Sequence, residues 1–244
     1  MNLWAVTDKG IARKQNQDAY FIESDVQNGT AVFLVCDGMG GANAGNVASK
    51  LAVNAFSDSL KKGLKPGLSM QEMQKLAEVA VSKANSAIFD KGESSPEYYG
   101  MGTTLVAGIV SGENVLIVNV GDSRAYKITE SGINQITVDH SVVEDLIRRG
   151  DIKREESRNH PNKNLITRVL GPGPVVISDM FVTELAVSDY ILLCSDGLSN
   201  LVMDSEIMEH VLTSSTVEQA CERLVKLSLV RGAPDNVTVV LFRK

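Results

Sequence analysis

The residues best placed to do chemistry are four aspartates at the ends of apolar runs. Asp37 follows Ala31-Val-Phe-Leu-Val-Cys36, and Asp122 follows Val115-Leu-Ile-Val-Asn-Val-Gly121. Asp196 follows Tyr190-Ile-Leu-Leu-Cys-Ser195, and Asp235 stands just before Asn236-Val-Thr-Val-Val-Leu241. Short apolar runs of this kind read as buried strands, and a strand end places a side chain rigidly. If the carboxylates converge, several negative charges share a small volume. That raises their pKa values and costs stability unless cations are present. A divalent ion reverses the cost. Carboxylate oxygens are hard ligands, which points to Mg²⁺ or Mn²⁺ rather than to zinc or copper. Taken singly, each Asp could simply cap a turn, beside Gly38, Gly121 or Gly197. The metal reading rests on the four together.

Gly38, Gly40 and Gly41 follow Asp37 within four positions. Such a stretch lets the backbone pass close to a ligand, and a carbonyl there could bind metal. It is neither a Walker loop nor Gly-x-Gly-x-x-Gly.

The elements that must position these residues come in blocks. Strands are expected at Leu3–Asp8, Ala19–Glu23 and Ala31–Cys36, then two helices. The first helix carries Val47, Leu51, Ala55, Phe56 and Leu60 on one face. The second opens on a capping box, Ser69 with Glu72. Strands return at Thr103–Val110, Val115–Val120 and Ala125–Ile128. Ser141 with Glu144 predicts a short helix to Gly150, and Asp151–Asn164 reads as a mobile charged surface segment. Strands at Ile177–Glu184 and Tyr190–Cys194, a helix from Thr216 with Gln219 to Val230, and a strand at Asn236–Phe242 complete the pattern. Blocks of strands and helices, without strict alternation, predict an α+β fold with antiparallel sheets.

The bulk properties narrow the function classes. With 244 residues and 43% hydrophobic content, the chain suits a single domain over 1–244. A net charge of −6 argues against nucleic acid or an anionic membrane as partner. Cys36, Cys194 and Cys221 are unclustered and read as small buried hydrophobes. Neither a leader-like start nor a membrane-length apolar run is seen, so a cytoplasmic protein is expected.

Ordered motifs then add a resemblance. They are Arg13-Lys-Gln-Asn16-Gln17-Asp18-Ala19, Asp37-Gly-Met-Gly-Gly41, Met101-Gly-Thr-Thr104, Val120-Gly-Asp122-Ser-Arg124, Asp139-His-Ser141, Cys194-Ser-Asp196-Gly197 and Pro234-Asp235-Asn236-Val-Thr238. In this order, over nearly the whole chain, the sequence resembles the metal-dependent serine/threonine phosphatases of the protein phosphatase 2C family, its bacterial members most of all. The resemblance implies two antiparallel sheets in a sandwich flanked by helices on both sides, in α/β/β/α layers. It implies Asp37 bridging two Mn²⁺ or Mg²⁺ ions, with the Gly38 carbonyl on one and Asp196 and Asp235 on the other. Asp122 with Asp196 would form a weaker third metal site. Asp18 and Asn236 would hold metal-bound waters, and Arg13 would grip the substrate phosphate. The segment from about 141 to 167 would be a flap tuning access of protein substrates.

The chemistry of the residues agrees with that implication. Two cations about 3.5–4 Å apart acidify a bridging water into a hydroxide nucleophile. The planar fork of Arg13 matches phosphate oxygens. Phosphoproteins, including a Hanks-type Ser/Thr kinase and its substrates, are the implied partners of a monomeric enzyme.

Two departures stand out. Met39 occupies a position where many relatives have a proton-donating His, which leaves His140 and His160 as the imidazoles near the flap. Gln17 stands where many carry Glu. Two further readings differ in class: a partner-switching regulator phosphatase, whose members generally lack the gripping Arg, and a non-catalytic pseudophosphatase, which would have lost metal ligands.

Overall fold

The computed structural model spans residues 1–244 and describes side chains for 1–40 and 44–244. Two antiparallel sheets face each other. One has the order β1 (Asn2–Asp8), β11 (Val237–Arg243), β10 (Tyr190–Cys194), β7 (Arg124–Thr129), β8 (Gly132–Gln135). The other runs β2 (Asp18–Asp25), β3 (Thr30–Met39), β5 (Leu105–Ser111), β6 (Asn114–Val120), β9 (Asp179–Glu184), with a short β4 (Gly102–Thr103) paired to β3.

Three apolar layers follow from strand alternation. On β3, Ala31, Phe33 and Val35 point between the sheets. Val32, Leu34 and Cys36 point the other way, onto α1 (Gly41–Lys61) and α2 (Met70–Glu93). On β10, Ile191 and Leu193 face the other sheet. Tyr190, Leu192 and Cys194 face α4 (Asp196–Ser199), α5 (Asp204–Thr213) and α6 (Val217–Val230). Strands buried on both faces read as unbroken apolar runs, which is why each aspartate stood out at a run's end. The α/β/β/α layering is as expected.

Phe33 and Phe242 stack across the two sheets with ring centroids 5.2 Å apart. Gly108 makes room for them, since a Cβ there would lie 2.4 Å from the Phe33 ring. Truncating such a fully buried Phe costs about 3–5 kcal/mol.

The helix starts show how local signals compete with tertiary ones. At Ser69 the capping box with Glu72 is complete. At Ser141 it is half made: the hydroxyl accepts from the Glu144 N–H, but the Glu144 carboxylate accepts from Arg154 at 2.8 and 3.1 Å. A guanidinium outbids a neutral amide for a carboxylate. At Thr216 the Gln219 side chain accepts from the Ser215 N–H instead.

Besides α4 and the 3-10 turns, β8 and α5 escaped the pattern reading. Strand β8 has four residues, and α5 shows only Ile207 and Val211 buried, too little periodicity to register. The segment expected to be mobile is tied down. It contains a 3-10 turn, Arg154–Asn159, docked through Arg154 on Glu144. Its base is laced by Val142 N–H to Leu165 O at 2.9 Å and Thr167 N–H to His140 O at 2.8 Å. Low sequence periodicity reflected ion pairing and loop hydrogen bonds, not lack of order. Among the described residues, no helix is long and apolar enough to cross a membrane.

Candidate active site

A cleft of about 530 Å³ opens where these strands end, lined by Asp37, Gly38, Asp122, Asp196 and Asp235. All four strand-end aspartates are brought together. Arg13, Met39 and Asn236 join them, with Asn164 and Ile166 from the flap.

Asp37 is the most firmly placed. It sits near the end of β3, opposite Asp18 of β2 in register. Its N–H donates to the Thr104 hydroxyl at 2.9 Å. Its carbonyl accepts from the Thr103 hydroxyl at 2.8 Å and the Thr104 N–H at 2.9 Å. The Thr104 hydroxyl also meets that of Ser123 at 2.7 Å, so Asp37 is tethered to the turn that carries Asp122.

Packing alone requires glycine at Gly38. A Cβ there would lie 2.1 Å from the carbonyl oxygen of Gly45 on α1, so the residue is set by helix packing against β3. Likewise, a Cβ on Gly197 would lie 1.9 Å from the Asn236 carbonyl oxygen.

Asp18 is buried and joins the two sheets. Its Oδ2 accepts from Ser195 Oγ, just after β10, at 2.8 Å and from Thr238 Oγ1, in β11 of the opposite sheet, at 2.6 Å. Asn236 lines the cleft and is held by backbone groups. Its Oδ1 accepts from the Gln17 N–H at 2.8 Å, and its Nδ2 donates to the carbonyls of Lys9 and Gln15 at 2.8 and 3.0 Å. With both donors and an acceptor on backbone, Asn236 fastens the loop that carries Arg13.

Arg13 lines the cleft half-exposed, with Nη2 2.6 Å from Asp235 Oδ2. Asp196 opens α4 and accepts from Asn200 Nδ2 at 3.0 Å. His140 is not in the cleft. Its Nδ1 accepts from the Gly121 N–H at 3.0 Å, which puts the ring proton on Nε2, 3.1 Å from Asp179 Oδ2. Burial holds its pKa down, so the ring is neutral and acts as a brace under the Asp122 turn. His160 also lies outside the cleft, its Nδ1 accepting from the Asn162 N–H at 3.1 Å.

The electrostatics are those of crowded carboxylates. Burial, then the charges of Asp18, Asp196, Asp122 and Asp235, push Asp37 well above the usual carboxylate range. Asp18 is raised to about 7, mainly by burial, against the pull of its two hydroxyl donors. Asp122 is raised to about 8 by burial and then Asp196. Asp196 is raised to about 6 by burial and then Asp235, while a hydrogen bond with Asp37 works the other way.

Does this donor set fit a divalent cation? Among the described residues, no three acidic, His or Cys side chains are gathered tightly enough to hold an ion as they stand. Asp235 is turned to Arg13, and like charges repel. Yet Asp18 Oδ1, Asp122 Oδ1 and Asp196 Oδ1 are buried with no hydrogen-bond partner. A buried acceptor without a donor is costly, and here the acceptors are hard carboxyl oxygens. The set fits Mg²⁺ or Mn²⁺ that would draw the carboxylates inward.

Sequence reasoning missed several supporting residues. Thr103, Thr104, Ser195 and Thr238 lie in or next to the quoted motifs, but their task is visible only across strands. Thr7, whose hydroxyl is 2.7 Å from that of Thr238, carried no local signal at all.

Comparison with known proteins agrees with this site. A family model described as Protein phosphatase 2C matches residues 11–229. The serine/threonine phosphatase stp of Listeria monocytogenes is 38% identical over 98% of this chain and 94% of its own. The crystal structure of Stp1 from Staphylococcus aureus superposes with a TM-score of 0.91 at 36% identity, covering 99% of this chain and 94% of the other. The catalytic domain of PstP, solved in complex with 2 manganese ions, superposes at 0.84 with 36% identity over 98% of this chain and 96% of that one. The chain belongs to the protein phosphatase 2C family and is a serine/threonine protein phosphatase.

Proposed function

We propose that this enzyme hydrolyses phosphoserine and phosphothreonine on proteins with two divalent cations, Mn²⁺ or Mg²⁺, held by Asp37, the Gly38 carbonyl, Asp196 and Asp235. The observation that carries the reading is the gathering of strand-end carboxylates around buried, partnerless oxygens in one cleft. The two manganese ions of the PstP relative support it. When bound, such ions acidify a water for in-line attack and offset the charge of the phosphate. Asp122 and Asp196 hold a weaker third ion. Arg13 leaves Asp235 and takes the phosphate oxygens with its planar fork. Met39 has no proton to give, and His140 is committed to Gly121 and Asp179. The departing alkoxide would then take its proton from a metal-bound water or from another residue.

The chain acts as one phosphatase domain, monomeric and cytoplasmic, opposing a Hanks-type Ser/Thr kinase. Its flap, at about 141–167, tunes access of protein substrates to the cleft. The retained aspartates and Arg13 weigh against a pseudophosphatase or a partner-switching regulator. The test is phosphate release from a phosphothreonine peptide by the purified enzyme with Mn²⁺. Release no faster than that of the Asp37→Asn variant would sink the reading.

A further inference from the structure

Asp18 sits in a closed ring of hydrogen bonds that reaches back to the first strand. Asn16 Oδ1 accepts from the Asp18 N–H at 3.1 Å, and Asn16 Nδ2 donates to Thr7 Oγ1 at 2.8 Å. Thr7 Oγ1 lies 2.7 Å from Thr238 Oγ1, which lies 2.6 Å from Asp18 Oδ2. With Asp18 Oδ2 as the acceptor, the direction of every bond is determined. Thr238 has one hydroxyl proton, which goes to that oxygen. It must therefore accept from Thr7, and Thr7 in turn accepts from the amide of Asn16, which can only donate. Each donor is polarised by the one behind it, so the chain strengthens toward Asp18. Ser195 Oγ adds a second donor to the same oxygen while accepting the Thr238 N–H at 3.0 Å. All the hydroxyl donors converge on Oδ2, and Oδ1 is left with no partner.

We infer that Thr7 of β1 is a positioning residue for Asp18: its hydroxyl completes the hydrogen-bonded chain that holds the Asp18 carboxyl in one orientation beside its register partner Asp37. This deepens the metal reading above and rests on it. Thr7, Asn16 and Thr238 are not among the residues that line the cleft. The register partner of Thr7 across β1 and β11 is Thr238 itself, so the strand pairing and the ring share one contact.

The test uses two substitutions in the full chain. Thr7→Val keeps the β-branched shape and removes the hydroxyl, and Thr7→Ser keeps the hydroxyl. Mn²⁺ binding is measured by calorimetry. The expected result is affinity about three- to tenfold weaker in Thr7→Val, the loss of one hydrogen bond in a network, and near wild type in Thr7→Ser. A second readout needs no metal: the ¹³C carboxyl resonance of Asp18, read in EDTA at one pH, should move in Thr7→Val and stay in place in Thr7→Ser. Unchanged affinity and resonance in Thr7→Val would overturn the inference, as would equal losses in both variants. If the wild type bound no Mn²⁺, the metal reading would fall, and the carboxyl resonance alone would decide the role of Thr7.

Discussion

Arg13 Nη2 lies 2.6 Å from Asp235 Oδ2, so the side chain suited to phosphate is held by a carboxylate suited to metal. The pair is substantially exposed, at 51% and 33% of the two side chains. An exposed ion pair contributes little, on the order of 0–1 kcal/mol, so Arg13 is released cheaply.

Removing the guanidinium should therefore harm substrate capture without harming metal binding. Arg13→Ala should lower kcat/KM on a phosphothreonine peptide by about 10- to 100-fold, the loss of charge-assisted hydrogen bonds. Mn²⁺ affinity should hold or rise, because a competitor for Asp235 is gone. Arg13→Lys should recover only part of the rate, since it keeps charge but not the fork. Loss of Mn²⁺ binding in Arg13→Ala would show that the arginine serves the metal site instead.

The raised carboxyls make a prediction about pH. In the folded chain Asp18, Asp122 and Asp196 sit at about 7, 8 and 6, against 3.8 when unperturbed. Between those limits the metal-free fold keeps protons that the unfolded chain releases. Their stabilising contribution is full below about pH 4 and is lost as pH rises through about 6 to 8. Metal binding needs the ionised forms, so Mn²⁺ affinity should climb over the same window. Thermal melts at about pH 5 and pH 8, with EDTA and with Mn²⁺, test this. Manganese should raise Tm far more at the higher pH. An equal gain at both values would show that these carboxyls do not face the ions.

Thr104 should prove as important as a ligand. Thr104→Val keeps the shape but leaves the Asp37 N–H and the Ser123 hydroxyl without a partner. An orphaned buried donor costs about 1–3 kcal/mol. Urea unfolding should show a loss of that size, with Thr104→Ser close to wild type. Phosphatase activity should fall alongside, since Asp37 loses its tether to the Asp122 turn. A fully active Thr104→Val would mean that strand pairing alone positions Asp37.

The site was more legible than its supports. Asp37, Asp122, Asp196 and Asp235 stood out because polar residues interrupt runs that are otherwise continuously apolar, and the structure brings all four to one cleft. Their neighbours were misread where one residue type serves two ends. His140 looked like a candidate acid, yet its ring braces Gly121. Glu144 looked like a capping residue, yet it holds Arg154. In each case a distant group competes for the same atom, and the competitor is invisible within a few residues of sequence.

By itself, the sequence determined the layers, the strand ends and the acidic character of the cleft. Those depend on alternation and burial, which are properties of short segments. Only the tertiary structure decided that Asp18 closes a ring with Thr7 and with Thr238, which lies more than two hundred residues from both. Only the fold, too, gave Asn236 the task of fastening the Arg13 loop. Hydrogen bonds act over about 3 Å, and which groups come that close is settled when two sheets pack, not along the chain.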